Sequence, residues 1–251
     1  MSTFSGNPKV LLTLGNAKIG EDERVIIENV VAPYFETNCW ILASAANNEC
    51  IVVDPGIAEP NLIPPIKRVL SQKNLKPVAV LLTHGHLDHT FSVTPLADGY
   101  DIPALIHKDD KGALTNPYQV ISKGGPTEQL LNALGVNKFI EPKKVQILNG
   151  EEKIKIAGIS LKVVHAPGHT AGSVIFEVDE SYLISGDVLF AGAIGRTDMP
   201  SGSAEEMKKT LKNKILPLQD ELIVLPGHGP QTTIARERKK NPYLQDDFLS
   251  D

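Results

Sequence analysis

The amino-acid sequence predicts an α/β fold in which β-sheets are stacked together and helices cover them from outside. Short β-branched runs recur along the chain, and each is bounded by Gly, Pro, Asp or Asn, the residues that commonly end strands. The early runs follow one another closely, whereas the later runs alternate with longer segments of mixed polarity. Such elements bury their apolar faces as packed layers of sheet and helix.

Eight of these runs are predicted as strands because they are rich in β-branched residues and flanked by turn residues. In chain order, the predicted strands are Val25 to Ile27, Cys39 to Leu42, Ile51 to Val53, Val78 to Leu82, Leu161 to Val164, Val174 to Val178, Tyr182 to Ile184 and Leu222 to Leu225.

Four segments of mixed polarity are predicted as helices. They are Pro60 to Lys73, Thr127 to Leu134, Ser203 to Lys214 and Thr232 to Lys240. Pro64 and Pro65 lie near the start of the first helix, where proline is tolerated. In the third helix, Ser203 is the predicted N-cap and Glu206 is expected to complete a capping box.

The chain has 251 residues and shows no repeat and no low-complexity linker, so a single domain spanning residues 1–251 is expected. The segment from Lys108 to Gly150 is the least regular part and contains Gly124-Gly125-Pro126. We interpret it as an inserted segment over one face. It is either a lid that shapes the substrate site or a surface excursion without function.

The composition argues against several classes of protein. The formal net charge is −5, whereas chains built to bind nucleic acid are more often basic. No apolar stretch reaches the ~20 residues that a membrane span needs, and the N-terminal apolar run is too short for a signal peptide. A cytoplasmic protein without nucleic-acid or membrane partners is expected. Cys39 and Cys50 lie in apolar stretches and are interpreted as buried free thiols.

A dense group of metal-binding residue types follows the predicted strand that ends at Leu82. His84, His86, Asp88 and His89 lie within six positions. In an extended chain, residues two apart point the same way, so the first three can project toward one region. Imidazole nitrogens and carboxylate oxygens are suitable ligands for zinc and related divalent ions. The stretch therefore predicts a metal site, with Gly85 allowing a tight turn between ligands.

Three further predicted strands each end in a potential ligand: His169, Asp187 and His228. Pro-Gly precedes both of these histidines, which ends the strand and directs the next side chain. Five of the seven histidines thus lie in such motifs. His107 and His165 lie in no cluster, and we interpret them as hydrogen-bonded or solvent-facing; the alternative for His165 is a contact with the pocket.

The run THGHLDH at Thr83 to His89, followed by PGHT, SGD and PGHG at the later sites, resembles the metallo-β-lactamase superfamily. Asp54, in Val-Val-Asp-Pro-Gly, is similar to that family's early aspartate, and the resemblance runs from about residue 25 to 244. It implies an αββα four-layer sandwich that binds two divalent metal ions. By this resemblance, His84, His86 and His169 hold one metal, Asp88, His89 and His228 hold the other, and Asp187 bridges them. Zinc is the expected metal, with iron or manganese as alternatives.

Within the superfamily, the chain is most similar to glyoxalase II and its short bacterial relatives. The segments that carry this likeness are Asp187 to Gly192, Gly195 to Asp198 and Glu237 to Leu244. Two features depart from glyoxalase II. The chain ends soon after Leu244, without the C-terminal helical domain, and Arg196 and Asp198 stand where that family has Lys and Tyr for glutathione.

The resemblance implies a hydroxyacylglutathione hydrolase-like thioesterase, acting on S-lactoylglutathione or a similar small thioester through a metal-bridging hydroxide. Asp88 is then the catalytic proton acceptor as well as a ligand. Arg196 either binds a substrate carboxylate or forms a structural salt bridge. The alternatives are an oxidoreductase resembling the mono-iron persulfide dioxygenases, and a nuclease of the same superfamily. The histidine at position 228 favours the two-metal hydrolase, and the acidic composition disfavours the nuclease.

Overall fold

The computed structural model describes residues 10–12 and 25–250, and it confirms the predicted αββα four-layer sandwich. Two β-sheets pack face to face, and helices cover the outer face of each. The predicted absence of a signal peptide concerns residues that lie mostly outside the described ranges. Within those ranges, none of the helices has the length and apolar character that crossing a bilayer requires.

The first sheet has seven strands whose spatial order follows the chain. They are β1 (Val10–Leu12), β2 (Val25–Val31), β3 (Asn38–Ser44), β4 (Glu49–Val53), β5 (Lys76–Leu81), β6 (Ala104–His107) and β7 (Val145–Leu148). Strands β1 to β4 are antiparallel neighbours, and β4 to β7 are parallel. Parallel neighbours need crossover connections. These contain α1 (Ile63–Gln72), α2 (Leu87–Thr90), α3 (Val93–Tyr100) and α4 (Pro126–Leu134).

The second sheet has six strands in the order β13-β12-β11-β10-β9-β8. They are β8 (Lys153–Ile156), β9 (Ile159–His165), β10 (Val174–Val178), β11 (Tyr182–Gly186), β12 (Ile223–Pro226) and β13 (Thr232–Thr233). Only β11 and β12 pair in parallel among these described strands, and α5 (Ala204–Thr210) with a π-helix at Leu211–Ile215 crosses between them. Helices α6 (Ile234–Lys240) and α7 (Asp246–Leu249) follow β13.

Three apolar layers hold the sandwich together. Trp40 and Leu42 of the first sheet pack against Phe176 of the second in the central layer. The outer layers join Ile66 of α1 to the first sheet and Met207 of α5 to the second. Each fully buried side chain of this size stabilises the fold by about 1.5–3 kcal/mol relative to exposure, which makes the sandwich a rigid support for the loops at its edge.

All eight predicted strands are present, mostly longer than their β-branched cores. The four predicted helices also form, but their starts shift. The first begins at Ile63 instead of Pro60, and Asn61 accepts a hydrogen bond from the Ile63 amide just before it. The fourth begins at Ile234, because Thr232 and Thr233 pair with β12 as a short strand.

The predicted capping box at the third helix is half correct. The Ser203 hydroxyl accepts the Glu206 amide at 3.2 Å, as expected for an N-cap. The return bond from the Glu206 side chain does not form. The Ser203 amide donates instead to the Gly168 carbonyl at 2.8 Å, and Glu206 pairs with Lys209. The helix start is thereby tied to the loop that carries His169.

The segment interpreted as an insertion, Lys108 to Gly150, has structure of its own. It contains two 3-10 turns and α4, and it ends in β7, which is an edge strand of the first sheet. Its last part therefore belongs to the sandwich itself. Cys39 and Cys50 are buried and free, as predicted, and burial raises the pKa of Cys50 to about 12, which keeps that thiol protonated.

Candidate metal centre

The loops that follow four strands meet at one edge of the sandwich. The Val174 amide donates to the Thr83 carbonyl at 2.8 Å, which joins the loop after β5 to the start of β10. The Gly227 amide donates to the Gly186 carbonyl at 2.8 Å, which joins the ends of β11 and β12. Backbone hydrogen bonds thus connect the loops from both sheets that carry the predicted ligands.

The first cluster consists of three buried histidines. His84 Nε2 lies 3.1 Å from His86 Nδ1, which lies 2.8 Å from His169 Nε2. The three rings are crossed, with interplanar angles of 76–87°. Crossed rings direct in-plane nitrogen lone pairs from different sides onto one point, which is the arrangement that a tetrahedral metal ion requires.

The second cluster consists of Asp88, His89 and His228. His89 Nε2 lies 3.2 Å from His228 Nε2, and His228 Nε2 lies 3.4 Å from Asp88 Oδ2. Asp187 stands between the clusters, because its Oδ2 lies 3.4 Å from both His169 Nε2 and His228 Nε2. The structure therefore brings all seven predicted residues together. We refer to His84, His86, Asp88, His89, His169, Asp187 and His228 as the candidate centre.

Backbone carbonyls orient three of the histidines from outside. His86 Nε2 lies 2.9 Å from the Val120 carbonyl, His169 Nδ1 lies 2.7 Å from the Arg196 carbonyl, and His228 Nδ1 lies 2.9 Å from the Phe35 carbonyl. A carbonyl only accepts, so each of these ring nitrogens carries the proton. The opposite nitrogen of each ring then faces the candidate centre, where it can present a lone pair to a cation.

Asp54 orients the other two histidines. Its Oδ2 accepts from His89 Nδ1 at 2.9 Å and from the Thr83 hydroxyl at 2.6 Å. Because that hydroxyl donates its proton to Asp54, it must accept from His84 Nδ1, which lies 3.0 Å away. Asp54 therefore fixes His89 directly and His84 through Thr83.

The donor set fits a pair of divalent cations. Lone pairs on neighbouring nitrogens repel, yet these nitrogens lie 2.8–3.2 Å apart. Ligands at ~2.0–2.1 Å from a tetrahedral zinc ion are themselves about 3.3 Å apart, close to these separations. In addition, Asp187 Oδ1 is buried without a hydrogen-bond donor, a costly state for a carboxylate oxygen. Cations between the ligands would satisfy both features.

The protonation states of His86, Asp88 and Asp187 suit metal ligands. Burial and, to a smaller extent, the neighbouring His169 lower the pKa of His86 to about 3, so this ring is neutral. Burial opposes ionisation of Asp88 and Asp187, but His89 and His228 outweigh it and hold the pKa of both carboxyls below the usual range. The same carboxylates overcome burial at His228 and raise its pKa to about 11. The two carboxylates thus draw positive charge into the centre, as a proton or as a metal ion.

Asp110 is a supporting residue that the sequence analysis missed. Its Oδ2 accepts from the Gly85 amide at 2.7 Å and from the Thr170 hydroxyl at 2.6 Å, and its Oδ1 accepts from the Gly172 amide at 2.9 Å. It thereby ties the loop of His84 and His86 to the loop of His169. Its position in the segment interpreted as an insertion gave no sign of this role.

The same contacts explain two glycines. A Cβ at Gly172 would lie 2.6 Å from the Asp110 carboxyl carbon, and a Cβ at Gly85 would lie 2.8 Å from the Cβ of Ala113. Gly85 does not have a positive φ. Its glycine is therefore required by close packing rather than by the tight turn expected from the sequence.

A cavity of about 310 Å³ opens above the candidate centre. Five of its lining residues are apolar: Phe35, Ile121, Pro126, Phe190 and Met199. The Phe190 ring packs edge to face on His228, with centroids 5.9 Å apart. Ile121 and Pro126 come from the Lys108 to Gly150 segment, so this segment contributes directly to the pocket.

Arg196 also lines the cavity, but its side chain is 57% exposed and forms a two-point ion pair with Asp198. The Nε to Oδ1 and Nη2 to Oδ2 distances are 2.7 and 2.8 Å. Of the two roles considered for Arg196, the salt bridge is thus observed, in a residue that also lines the cavity.

His107 and His165 form a separate pair near Asp109. Their rings are stacked almost in parallel, 4.2 Å apart and inclined by 11°. Parallel stacked rings cannot both direct an in-plane lone pair onto one ion. His165 Nε2 instead lies 2.8 Å from the Ala171 carbonyl, and His107 Nε2 lies 3.3 Å from that of Asn149. This geometry agrees with their interpretation as hydrogen-bonded histidines.

Known proteins are similar to this chain in sequence over most of its length. A family model described as metallo-beta-lactamase superfamily matches residues 32–228, a range that contains the whole candidate centre. An uncharacterized protein of Mycobacterium tuberculosis is 38% identical over 228 residues, covering 88% of this chain and 98% of the relative. The hydroxyacylglutathione hydrolase GloC of Haemophilus influenzae is 35% identical over 222 residues, covering 87% of this chain and 97% of that protein.

Solved structures share the fold. The BLEG-1 B3 metallo-beta-lactamase aligns with a TM-score of 0.75 at 32% identity, covering 88% of this chain and 100% of that one. TTHA1623, in a di-iron-bound form, aligns with a TM-score of 0.67 at 30% identity, covering 84% of this chain and 96% of that one. The fold therefore recurs in proteins of similar length.

Proposed function

Because this chain belongs to the metallo-beta-lactamase superfamily, we propose that it is a metal-dependent hydrolase that cleaves acyl thioesters of a small thiol. The observation that best supports this proposal is the candidate centre itself. Five imidazole lone pairs and two carboxylates converge beneath an open pocket, and one oxygen of Asp187 lacks any donor.

We propose that two divalent ions occupy the two clusters. His84, His86 and His169 hold one ion, Asp88, His89 and His228 hold the other, and Asp187 bridges them. Zinc suits this set of nitrogen and oxygen ligands, and iron or manganese are the alternatives. When bound, such ions polarise a carbonyl and make hydroxide available from water near neutral pH.

The chain's own residues supply proton transfer and substrate positioning in this proposal. In the overall reaction, a water oxygen bonds to the thioester carbonyl carbon, the carbon–sulfur bond breaks, and the thiolate leaves with the bonding electrons. One proton of the water ends on the thiol, and the carboxylic acid product takes up the water oxygen and its other proton. The Asp88 carboxylate lines the pocket floor and is held ionised, so we assign it the acceptance of the water's proton.

Two observations support a thioester as the substrate. A relative named hydroxyacylglutathione hydrolase is 35% identical over nearly its whole length. The cavity volume of about 310 Å³ lies at the lower end of the range for small-molecule pockets, about 300–1,000 Å³. A small thioester fits such a space. We propose that the substrate is a small molecule and that neither nucleic acid nor a membrane is a partner.

The first test combines metal analysis with hydrolysis. Purified protein is expected to hold two metal ions per chain and to release thiol from S-D-lactoylglutathione or another acyl thioester. His86→Ala should lower kcat/KM at least about 100-fold and reduce metal content. It removes one of three proposed ligands, and the other two, His84 and His169, stay buried where no other side chain replaces it. His165→Ala is the control, because that ring lies outside the candidate centre. A metal-free variant with full activity would overturn the proposal.

A second candidate function is lactam hydrolysis. The likeness to the BLEG-1 B3 metallo-beta-lactamase, at 32% identity and over that whole chain, favours it. The same centre would act on a lactam carbonyl instead of a thioester carbonyl. A chromogenic cephalosporin assayed beside the thioesters separates the two functions by their kcat/KM values. Oxygen consumption with glutathione persulfide and a single bound iron would instead support the oxidoreductase alternative.

A further inference from the structure

We propose that the pocket selects thioesters of apolar, uncharged thiols over those of charged thiols, and that Asp198 enforces this selection by neutralising Arg196. This inference rests on the proposed function for the type of reaction. It concerns which molecules the pocket holds, and binding can test it without turnover.

The walls of the pocket are apolar at fixed positions. Phe35 and Phe190 stand beside His228, while Ile121, Pro126 and Met199 line other parts of the cavity, together with the hydroxyl-bearing Ser122 and Thr127. Each methylene that a ligand buries against such a surface favours binding by about fourfold. A ligand with an aliphatic group therefore gains affinity here that a polar group of the same size does not.

These walls are coupled to the candidate centre through the backbone. The carbonyl that accepts from His228 belongs to Phe35, and the one that accepts from His86 belongs to Val120, which precedes Ile121. The backbone at Phe35 and beside Ile121 cannot move far without breaking a bond that orients a proposed ligand. These two apolar residues are therefore held in place by the site itself.

The electrostatics of the rim point the same way. Among the lining residues in the described part of the chain, Arg196 is the one with a permanently cationic side chain. Its Nε and Nη2 bind both oxygens of Asp198, so the pair carries no net charge. A thiol with carboxylates, such as glutathione, must displace Asp198 to gain a full ion pair. The pair is exposed and costs little to open, so the predicted bias is moderate.

The test compares two thioethers that cannot be hydrolysed. S-hexylglutathione carries two carboxylates and an ammonium, and S-hexyl-N-acetylcysteamine carries the same hexyl group without charge. We measure both dissociation constants by calorimetry on the metal-loaded protein. The wild-type protein is expected to bind the neutral thioether at least about fivefold more tightly.

Asp198→Asn keeps the shape of the side chain and removes its charge. It should tighten binding of S-hexylglutathione about fivefold and leave the neutral thioether within about twofold. The gain should shrink at high salt, because the freed charge is screened. Glu205→Gln, which weakens an exposed ion pair with Lys209 on α5, is the matched control and should change neither constant.

The outcomes separate this inference from the proposed function. Tighter binding of S-hexylglutathione by the wild-type protein, an equal effect of Asp198→Asn on both ligands, or no binding of either ligand would each overturn the selection. If the neutral thioether binds as expected but no thioester is hydrolysed, the proposed reaction is wrong while the inferred selectivity of the pocket stands.

Discussion

At the scale of single residues, the candidate centre shows what a linear pattern can and cannot reveal. The ligand types were readable, because three of them alternate after one strand and three others each end a strand. The carbonyls of Phe35, Val120 and Arg196, which orient three of the histidines, were not readable. Every residue has a carbonyl, so its role depends only on where the folded chain places it.

Asp110 belongs to the same class, and it gives a prediction at this scale. Asp110→Asn replaces one acceptor oxygen by an NH2 group, which is a donor. Depending on the orientation of the amide, this group faces either the Gly172 amide or both the Gly85 amide and the Thr170 hydroxyl. One buried donor then lacks an acceptor, which should lower the free energy of unfolding by about 1–3 kcal/mol. Urea unfolding measures this change.

Asp109→Asn is the control for that measurement. Asp109 neighbours Asp110 in the chain, but its side chain is 45% exposed and lies 3.6 Å from His107 Nδ1. Its substitution should alter the free energy of unfolding by no more than about 0.5 kcal/mol. Equal effects of the two substitutions would show that Asp110 does not tie the loops together.

At the scale of elements, the predictable strands were those with a β-branched core between turn residues. The eight predicted strands have β-branched cores that stay buried in the two sheets. The five missed strands are short: β1 has three residues, β6, β7 and β8 have four each, and β13 has two, which leaves little pattern to read. Their pairing is imposed by the neighbouring strands, which the local sequence does not encode.

Helix α6 illustrates a contact between elements that bears on the pocket. Glu237 Oε2 accepts from the Gly192 amide at 2.6 Å, and the Asn241 side-chain amide donates to the Ala193 carbonyl at 3.0 Å. These bonds hold the turn that begins at Phe190, a wall of the cavity. The tail that follows the second sheet therefore supports the substrate site from behind.

This contact gives a pH-dependent prediction. Burial opposes ionisation of Glu237, but hydrogen bonds from Thr232, Gly192 and Asn241 outweigh it and lower its pKa below the ordinary 4.5. A carboxyl with a lowered pKa contributes stability that is present above its unfolded value and is lost as the pH falls through the folded one. From about pH 5 to 3, the wild-type protein should therefore lose more stability than Glu237→Gln, as measured by thermal unfolding. Parallel losses would contradict the stabilising role of the ionised form.

At the scale of the whole molecule, the sandwich itself was predictable because apolar strands and amphipathic helices can bury their faces in few ways. How the two sheets pack against each other was harder to predict from the sequence. His84, His86, Asp88 and His89 follow the first sheet, whereas His169, Asp187 and His228 belong to the second. Their convergence depends on the central layer around Trp40 and Phe176, which no local pattern specifies.

That convergence predicts a stabilising effect of metal on the entire fold. An ion that binds the native protein and not the unfolded chain stabilises it by about 2.7 kcal/mol when present at 100 times its dissociation constant. A chelator should therefore lower the Tm, and added zinc should restore it. His86→Ala should show a smaller difference between the two conditions. A Tm that is independent of metal would contradict binding between the two sheets.

The order of the first sheet has a consequence for how the protein matures. Its strands are laid down in the sequence in which they neighbour one another, so this half can assemble while the chain is still being synthesised. The remaining proposed ligands emerge later, the last of them at position 228. A nascent chain thus offers only an incomplete chelate, and tight capture of metal must wait until position 228 has been synthesised and folded.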